Sequence, residues 1–383
     1  MNYKQWYSAH FESRLMGRYI NLDHILPLLK PYENFIEIST AGTSELGREI
    51  PLLKIGNGEC IVLAWSQMHG NESTTTKALF DFIKFIGQKE FFQDEIKQFL
   101  EKNSFYILPI LNPDGADLYT RENANKIDLN RDAQNLCQSE SKTLRTVFNR
   151  VQPDLCLNLH DQRSIYGLDT GLTAAVSFLA PSADMDRSIT GAREVAMSHI
   201  VRLDRMLQDI LPGHIGRYDD SFNANCVGDT FQMTGVPTIL FEAGHCKDDY
   251  NRENTRALIF YAFLELFRFN DEQGISEDFN DYFNIPQNRV NYNDLILRHV
   301  FVKGHDKIVD IAIQYSEELI NGEVHFKARI DKIGDCDLLH GHREVDLDGD
   351  SILINSQESF EDGQNIWKIV KESDESVVIL LNN

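Results

Sequence analysis

No run of apolar residues in this 383-residue chain approaches the ~20 needed to cross a bilayer, so nothing in it reads as a membrane span. Cysteine is sparse: the six residues at 60, 137, 156, 226, 246 and 336 show no C-x-x-C spacing. That pattern argues against a disulfide framework and a four-cysteine metal site, and for free thiols in a reducing compartment. Basic residues are outnumbered, 37 Lys and Arg against 59 Asp and Glu, for a formal charge of −22. A surface with that excess does not suit nucleic acid or an anionic membrane, whose phosphates need compensating cations. The amino terminus lacks the basic-then-apolar pattern of a secretory leader, which points to a cytoplasmic protein. There is no internal repeat and no low-complexity tract. Composition leaves the oligomeric state open.

Apolar runs and amphipathic stretches alternate through the first 269 residues. Residues 11–32 read as helical, and Ile36 to Ile55 as a hairpin turning near Gly42 and Gly47. Four apolar runs follow, ending at Met68, Leu111, Leu159 and Phe241. Each leads directly into a reactive residue or turn: His69, the Asn112-Pro-Asp-Gly115 turn, His160 and Glu242. This pattern predicts an α/β fold with a mixed, largely parallel central sheet flanked by helices, and such sheets place their sites at the strands' carboxyl ends. Residues 270–289 are acidic and turn-rich and read as a linker. From 290 to 383 the apolar period becomes two, as in Glu323-Val-His-Phe-Lys-Ala-Arg-Ile, which predicts a small antiparallel β domain.

The reactive residues have a common chemistry. His69 and Glu72, three apart at a strand end, can offer one cation an imidazole nitrogen and a carboxylate oxygen. His160, ending the alternating run Asp154-Leu-Cys-Leu-Asn-Leu-His, supplies a third ligand and leaves one tetrahedral position open, the pattern of catalytic zinc. Glu242 closes an almost wholly apolar run, where partial desolvation raises a carboxyl pKa toward that of a proton shuttle. Arg131 beside Asn130 suits a two-pronged grip on a substrate carboxylate. Arg121 suits a developing oxyanion.

Taken in order, Gly42-Thr-Ser through Gly47-Arg48-Glu-Ile, His69-Gly-Asn-Glu72, Asn112-Pro-Asp-Gly115, Arg121, Asp128-Leu-Asn-Arg131, His160 and Glu242 resemble the zinc carboxypeptidase family, over about residues 35–265. The resemblance implies one Zn²⁺ held by His69, Glu72 and His160, with Asp128 accepting from the His69 ring. It implies Asn130 and Arg131 as binders of a C-terminal carboxylate, Arg121 as oxyanion stabiliser and Glu242 as general base. Tyr218 takes the place of a tyrosine that closes over substrate. The substrate implied is a peptide with a free carboxylate.

Other readings remain open. Deacylases of N-acyl amino acids (the aspartoacylase and succinylglutamate desuccinylase type) share His-Gly-Asn-Glu and Asp-Leu-Asn-Arg. A murein-peptide amidase uses the same chemistry, and a non-catalytic peptide-binding relative would keep the scaffold. Asp229 could select basic side chains or be structural. Asp346-Leu-Asp-Gly-Asp350 reads as a turn rather than a calcium loop, because Gln357 stands where a bidentate Glu is required. His340-Gly-His342 reads as a solvated loop, and His245 as a neighbour of the site.

Overall fold

A computed structural model describes residues 1–269, 278–303, 307–376 and 378–381. They divide into two compact units, one of residues 1–162 and 174–288, the other of residues 163–173 and 289–383.

The first unit opens with helices α1 (Tyr3–His10) and α2 (Leu22–Leu29), then the hairpin β1 (Ile36–Thr43) and β2 (Glu49–Ile55). Next come β3 (Cys60–Trp65), α3 (Thr74–Gly87), α4 (Gln93–Lys102), β4 (Asn103–Leu108), α5 (Pro113–Leu118), α6 (Ser139–Val151) and β5 (Leu155–Asp161). After β6 (Tyr166–Leu168), which lies in the second unit, follow β7 (Val176–Leu179), α7 (Gly191–Gln208), β8 (Ile215–Arg217), α8 (Val227–Met233), β9 (Thr238–Ala243) and α9 (Glu253–Leu266).

Eight of these strands form one sheet in the order β1-β2-β4-β3-β5-β9-β7-β8. Its centre, β4-β3-β5-β9, is parallel, with antiparallel pairs on both sides. Alternation along each strand divides the residues between two cores. Leu157 and Leu159 pack with Leu79, Phe82 and Phe263 on one face. Cys156, Leu63 and Trp65 pack with Val227 and Phe231 of α8 on the other, and Asn158 and His160 share that second face by their spacing. No helix among the described residues is long and apolar enough to cross a membrane.

Residues 11–21 are not helical, contrary to the sequence expectation. Their backbone serves a buried charge network instead. The Arg256 guanidinium, fully buried, donates to both Asp81 oxygens at 2.7 Å and to Glu12 O at 2.8 Å, while Glu12 N donates to Asp81 Oδ1 at 2.7 Å. A carbonyl given to a buried arginine is unavailable to a helix, so the tertiary demand overrides local propensity. The Asn112-Pro-Asp-Gly115 turn is the first turn of α5: the Asn112 side chain accepts from Gly115 N at 2.9 Å and Pro113 stands where no amide donor is needed.

Within the second unit, β11 (Tyr292–Phe301), β12 (Ile308–Ile320) and β13 (Glu323–Gly334) pair antiparallel, with β16 (Asn365–Ile366) on the β13 edge. On the other edge, β14 (His340–Asp346) runs parallel to β11, an exception to the expected antiparallel pattern. His340 and His342 therefore lie in a strand, not a solvated loop. A smaller antiparallel sheet joins β15 (Ile352–Ile354), β17 (Lys368–Lys371) and β18 (Val378–Leu381). Asp346 to Asp350 form a turn whose end carboxylates meet His299 and Lys371, each at 3.0 Å.

A linear reading assigns residues 163–173 to the first unit. The second unit takes them because its side chains and backbone satisfy theirs: Tyr292 N donates to Ile165 O at 3.1 Å, Tyr292 Oη to Gly171 O at 2.9 Å, and Gln314 Nε2 to Ser164 Oγ at 2.9 Å. Of the expected linker, residues 270–277 lie outside the described residues. Residues 278–288 pack into the first unit, where Tyr282 is buried and its hydroxyl accepts from Ala180 N at 3.1 Å.

One close approach holds the site loops together. A Cβ on Gly70 would lie 2.0 Å from the Gly115 carbonyl carbon, so these two segments meet backbone to backbone. Gly70→Ala should cost about 1–3 kcal/mol of stability in chemical denaturation, as an overpacked core does. Gly191→Ala, at a position with no heavy atom within 4 Å, should be neutral or stabilising.

Candidate active site

The chain leaves β3 at Trp65 and turns back through Gln67, whose side chain donates to Gly70 O at 2.9 Å. Asn112 Nδ2 donates to Met68 O at 3.2 Å, tying this loop to the start of α5. Two of the sequence motifs meet here as well: Ser44 Oγ donates to Asp114 Oδ1 at 2.9 Å and Arg48 Nε lies 3.1 Å from the same oxygen. The loop delivers His69 and Glu72 to the carboxyl end of β3. His160 and Glu242 stand opposite each other in register on the parallel strands β5 and β9, inside the strands rather than after them.

His69, Glu72 and His160 offer ligand atoms that all lie within 4.8 Å of one another, and all three residues are buried. His69 Nδ1 is 2.8 Å from Glu72 Oε1, and His160 Nδ1 is 2.8 Å from Glu72 Oε2. The two Nδ1 atoms are 3.1 Å apart. His69 Nε2 is 3.0 Å from Asp128 Oδ1, a carboxylate placed to take the ring proton on that side and free the Nδ1 lone pair for a cation. A lone pair facing a carboxylate and a second imidazole needs positive charge between them. Two nitrogens and a carboxylate, buried and with one ring oriented from behind, fit a divalent zinc ion.

Arg121, half-exposed, closes this cluster: Nη1 is 3.2 Å from Glu72 Oε1, and Nε and Nη2 reach Asp128 Oδ2 at 3.2 and 3.0 Å. Burial opposes charge on Asp128, but His69, Arg121 and the Asn130 amide outweigh it and hold its carboxyl well below the usual range. Glu242 shows the opposite balance. Burial first, then the nearby Glu72 and Asp161 charges, push its carboxyl well above the ordinary value, against the pull of Arg121 and Arg252.

Asn130 and Arg131 follow Asp128 in a single short helical turn. Asn130 Oδ1 accepts from Val227 N at 2.9 Å, linking this turn to α8, and Arg131 Nη1 reaches Asn130 O at 2.8 Å and Cys226 Sγ at 3.1 Å. Tyr218 stands just past β8, the edge strand, with its backbone N–H donating to Phe178 O at 2.9 Å. His245 is buried with its ring centroid 4.6 Å from that of Tyr250.

Two site-supporting residues escape a reading of the sequence. Asp161 N donates to Glu72 Oε2 at 3.2 Å, and its side chain accepts from Thr74 N at 3.1 Å, so one residue steadies a ligand and caps α3. Its position beside His160 was the available signal. Arg252 donates to Ala243 O and Gln162 O, both at 2.8 Å, joining the ends of β9 and β5. No local pattern marks it, since both partners are backbone carbonyls, one of them ninety positions away.

Residues 24–160 match the family model described as Zinc carboxypeptidase. "Probable carboxypeptidase 2" of Arthroderma benhamiae is 27% identical over 128 residues, 31% of this chain and 24% of that protein. Carboxypeptidase 2 of Trichophyton tonsurans is 26% identical over the same length, 31% of this chain and 23% of that protein. The match thus spans about a quarter of these relatives. Among solved structures, a metallo-carboxypeptidase from Burkholderia cenocepacia aligns with TM-score 0.53 and 16% identity, covering 65% of this chain and 70% of that one. The carboxypeptidase A from Helicoverpa armigera aligns with TM-score 0.50 and 15% identity, covering 69% and 78%. These two likenesses are of fold.

Asp229 on α8 is buried, and the nearby backbone amides of Asn223 and Ser182 favour its charged form. Burial nevertheless pushes its carboxyl up to about 6. The folded chain then keeps a proton that the unfolded chain releases between roughly pH 4 and 6, so this group's contribution is present below that window and lost as pH rises through it. Unfolding free energies measured across this range should decline less, or rise more, with pH for Asp229→Asn than for wild type.

Proposed function

We propose that this chain, whose residues 24–160 match the family model described as Zinc carboxypeptidase, is a zinc-dependent hydrolase removing C-terminal residues from peptides. The observation that supports it is the convergence of His69, Glu72 and His160 beside Glu242, with a carboxylate-binding pair, Asn130 and Arg131, reached through Asp128.

Zinc at the triad would polarise the scissile carbonyl and bring the pKa of a water toward ~7. The remaining work falls to the chain's own groups. Glu242 takes the proton from the attacking water. Because its surroundings favour the protonated carboxyl, it is suited to pass that proton to the departing amine nitrogen. Arg121 offers its guanidinium to the oxyanion that develops on the carbonyl oxygen. Arg131, with the Asn130 side chain beside it, grips the terminal carboxylate of the substrate and sets which peptide bond meets the triad. Asp128 keeps the His69 ring in the orientation that presents Nδ1.

Purified, metal-analysed protein should cleave C-terminally varied peptides in preference to N-acyl amino acids. The reverse preference would support the deacylase reading. Glu242→Gln should lose at least about a thousandfold in kcat with its zinc content unchanged. Near-wild-type turnover would remove Glu242 as the base. Converting the substrate's terminal carboxylate to an amide should cost most of kcat/KM, and indifference to that change would remove the Asn130–Arg131 clamp.

A further inference from the structure

Arg121 and Asp128 meet each other and the ligand cluster, and of the residues between them only Asn123 is buried. Every hydrogen-bonding position of its carboxamide is taken. Oδ1 accepts from the backbone amides of Asn125 and Ile127, both at 3.1 Å. Nδ2 donates to Gln138 Oε1 at 2.9 Å and to Glu140 Oε2 at 3.2 Å. The Asn123 backbone joins in, its N donating to Ile127 O at 3.0 Å and its O accepting from Lys126 N at 2.9 Å.

These contacts do two separate things. The oxygen and the backbone close residues 123–127 into a turn, so Arg121 leaves on one side and Asp128 on the other, where guanidinium and carboxylate meet at 3.0 Å. The amide nitrogen fixes that turn to the start of α6, where Gln138 is the residue before the helix and Glu140, in its first turn, is fully buried. Glu140 is held in turn, its Oε1 accepting from Glu45 N at 3.1 Å, and Asn125 Nδ2 shares Gln138 Oε1 at 2.9 Å. The closed turn keeps Arg121 and Asp128 together. The link to α6 decides where the pair stands against Glu72 and His69.

Resting on the peptidase reading for its kinetic half, we propose that Asn123 is a positioning residue of this centre. It sets where the Arg121 guanidinium and the Asp128 carboxylate stand, and through them the oxyanion contact and the orientation of the His69 ring. Only a carboxamide of this length serves: aspartate cannot donate to Gln138 and Glu140, and an apolar residue would leave those groups and two amides without this partner. A guanidinium displaced by about 1 Å can forfeit about a hundredfold in rate, and lost support behind a metal ligand weakens the metal about 10–100-fold.

The test measures zinc dissociation constants on the full chain, and kcat and KM for a cleaved peptide at saturating zinc. Asn123→Ala should weaken zinc by about tenfold and lower kcat by at least about tenfold, with KM within about threefold of wild type. In an Arg121→Ala background the same substitution should cost kcat less than about twofold, because the group it positions is gone. Gln138→Ala removes one acceptor and leaves Asn123 in place, so it should show both losses at about threefold or more, and it decides the matter where Asn123→Ala does not fold. A folded variant with unchanged zinc affinity and kcat, or a cost that adds in full to that of Arg121→Ala, would overturn the proposal. If no peptide is cleaved while zinc affinity still falls, the peptidase reading fails and the positioning role stands.

Discussion

Glu72 reaches the Nδ1 atoms of His69 and His160 with one carboxylate oxygen each, and those two nitrogens stand 3.1 Å apart. Three electron-rich groups in a buried space cannot share it without positive charge among them. Nearly every feature around the site follows from this constraint. Asp128 takes the far nitrogen of His69 so that the near one is free, and Arg121 lies across Glu72 and Asp128. Asp161 gives its backbone amide to Glu72 and its carboxylate to the start of α3. Without this support the three ligands would be freer to turn apart, because none is held by the backbone ladder alone.

The same constraint sets the character of Glu242. It sits beside a cluster already rich in carboxylates, behind apolar strand residues, so its own ionisation is opposed by burial and by like charge. Arg121 and Arg252 limit the effect without cancelling it. A carboxyl in this balance differs from Asp128, whose donors hold it ionised. Two acidic residues thus acquire opposite proton affinities from their surroundings.

The sheet makes the convergence possible. Its parallel centre aligns the carboxyl ends of β3, β5 and β9, and the backbone contact at Gly70 and Gly115 brings the His69 loop against α5. Face alternation on β5 then places Asn158 below His160, where its Oδ1 finds no hydrogen-bond partner among the described residues. The second unit enters through an excursion: residues 163–173 depart just after Gln162 and return at Ala174, and Gln162 Nε2 donates to Ala174 O at 2.8 Å, closing the gap between exit and return.

The hairpin, the order of strands and helices and the reactive residues at strand ends were legible in the sequence because each is written in a local pattern. Period-two and helical spacings, an Asn-Pro cap and a His-x-x-Glu tetrad involve residues only a few positions apart. Tyr218 shared the motif order but had no local feature to fix its place. The irregular path of residues 11–21, the adoption of 163–173 by the second unit, and the roles of Asp161 and Arg252 were decided only by tertiary structure. In each, a backbone group finds its partner tens to hundreds of positions away, and no local periodicity encodes such a pairing. The Asn158 Oδ1 belongs to the same class: its sequence placed it on a strand, but only the folded chain shows that it has no hydrogen-bond partner among the described residues.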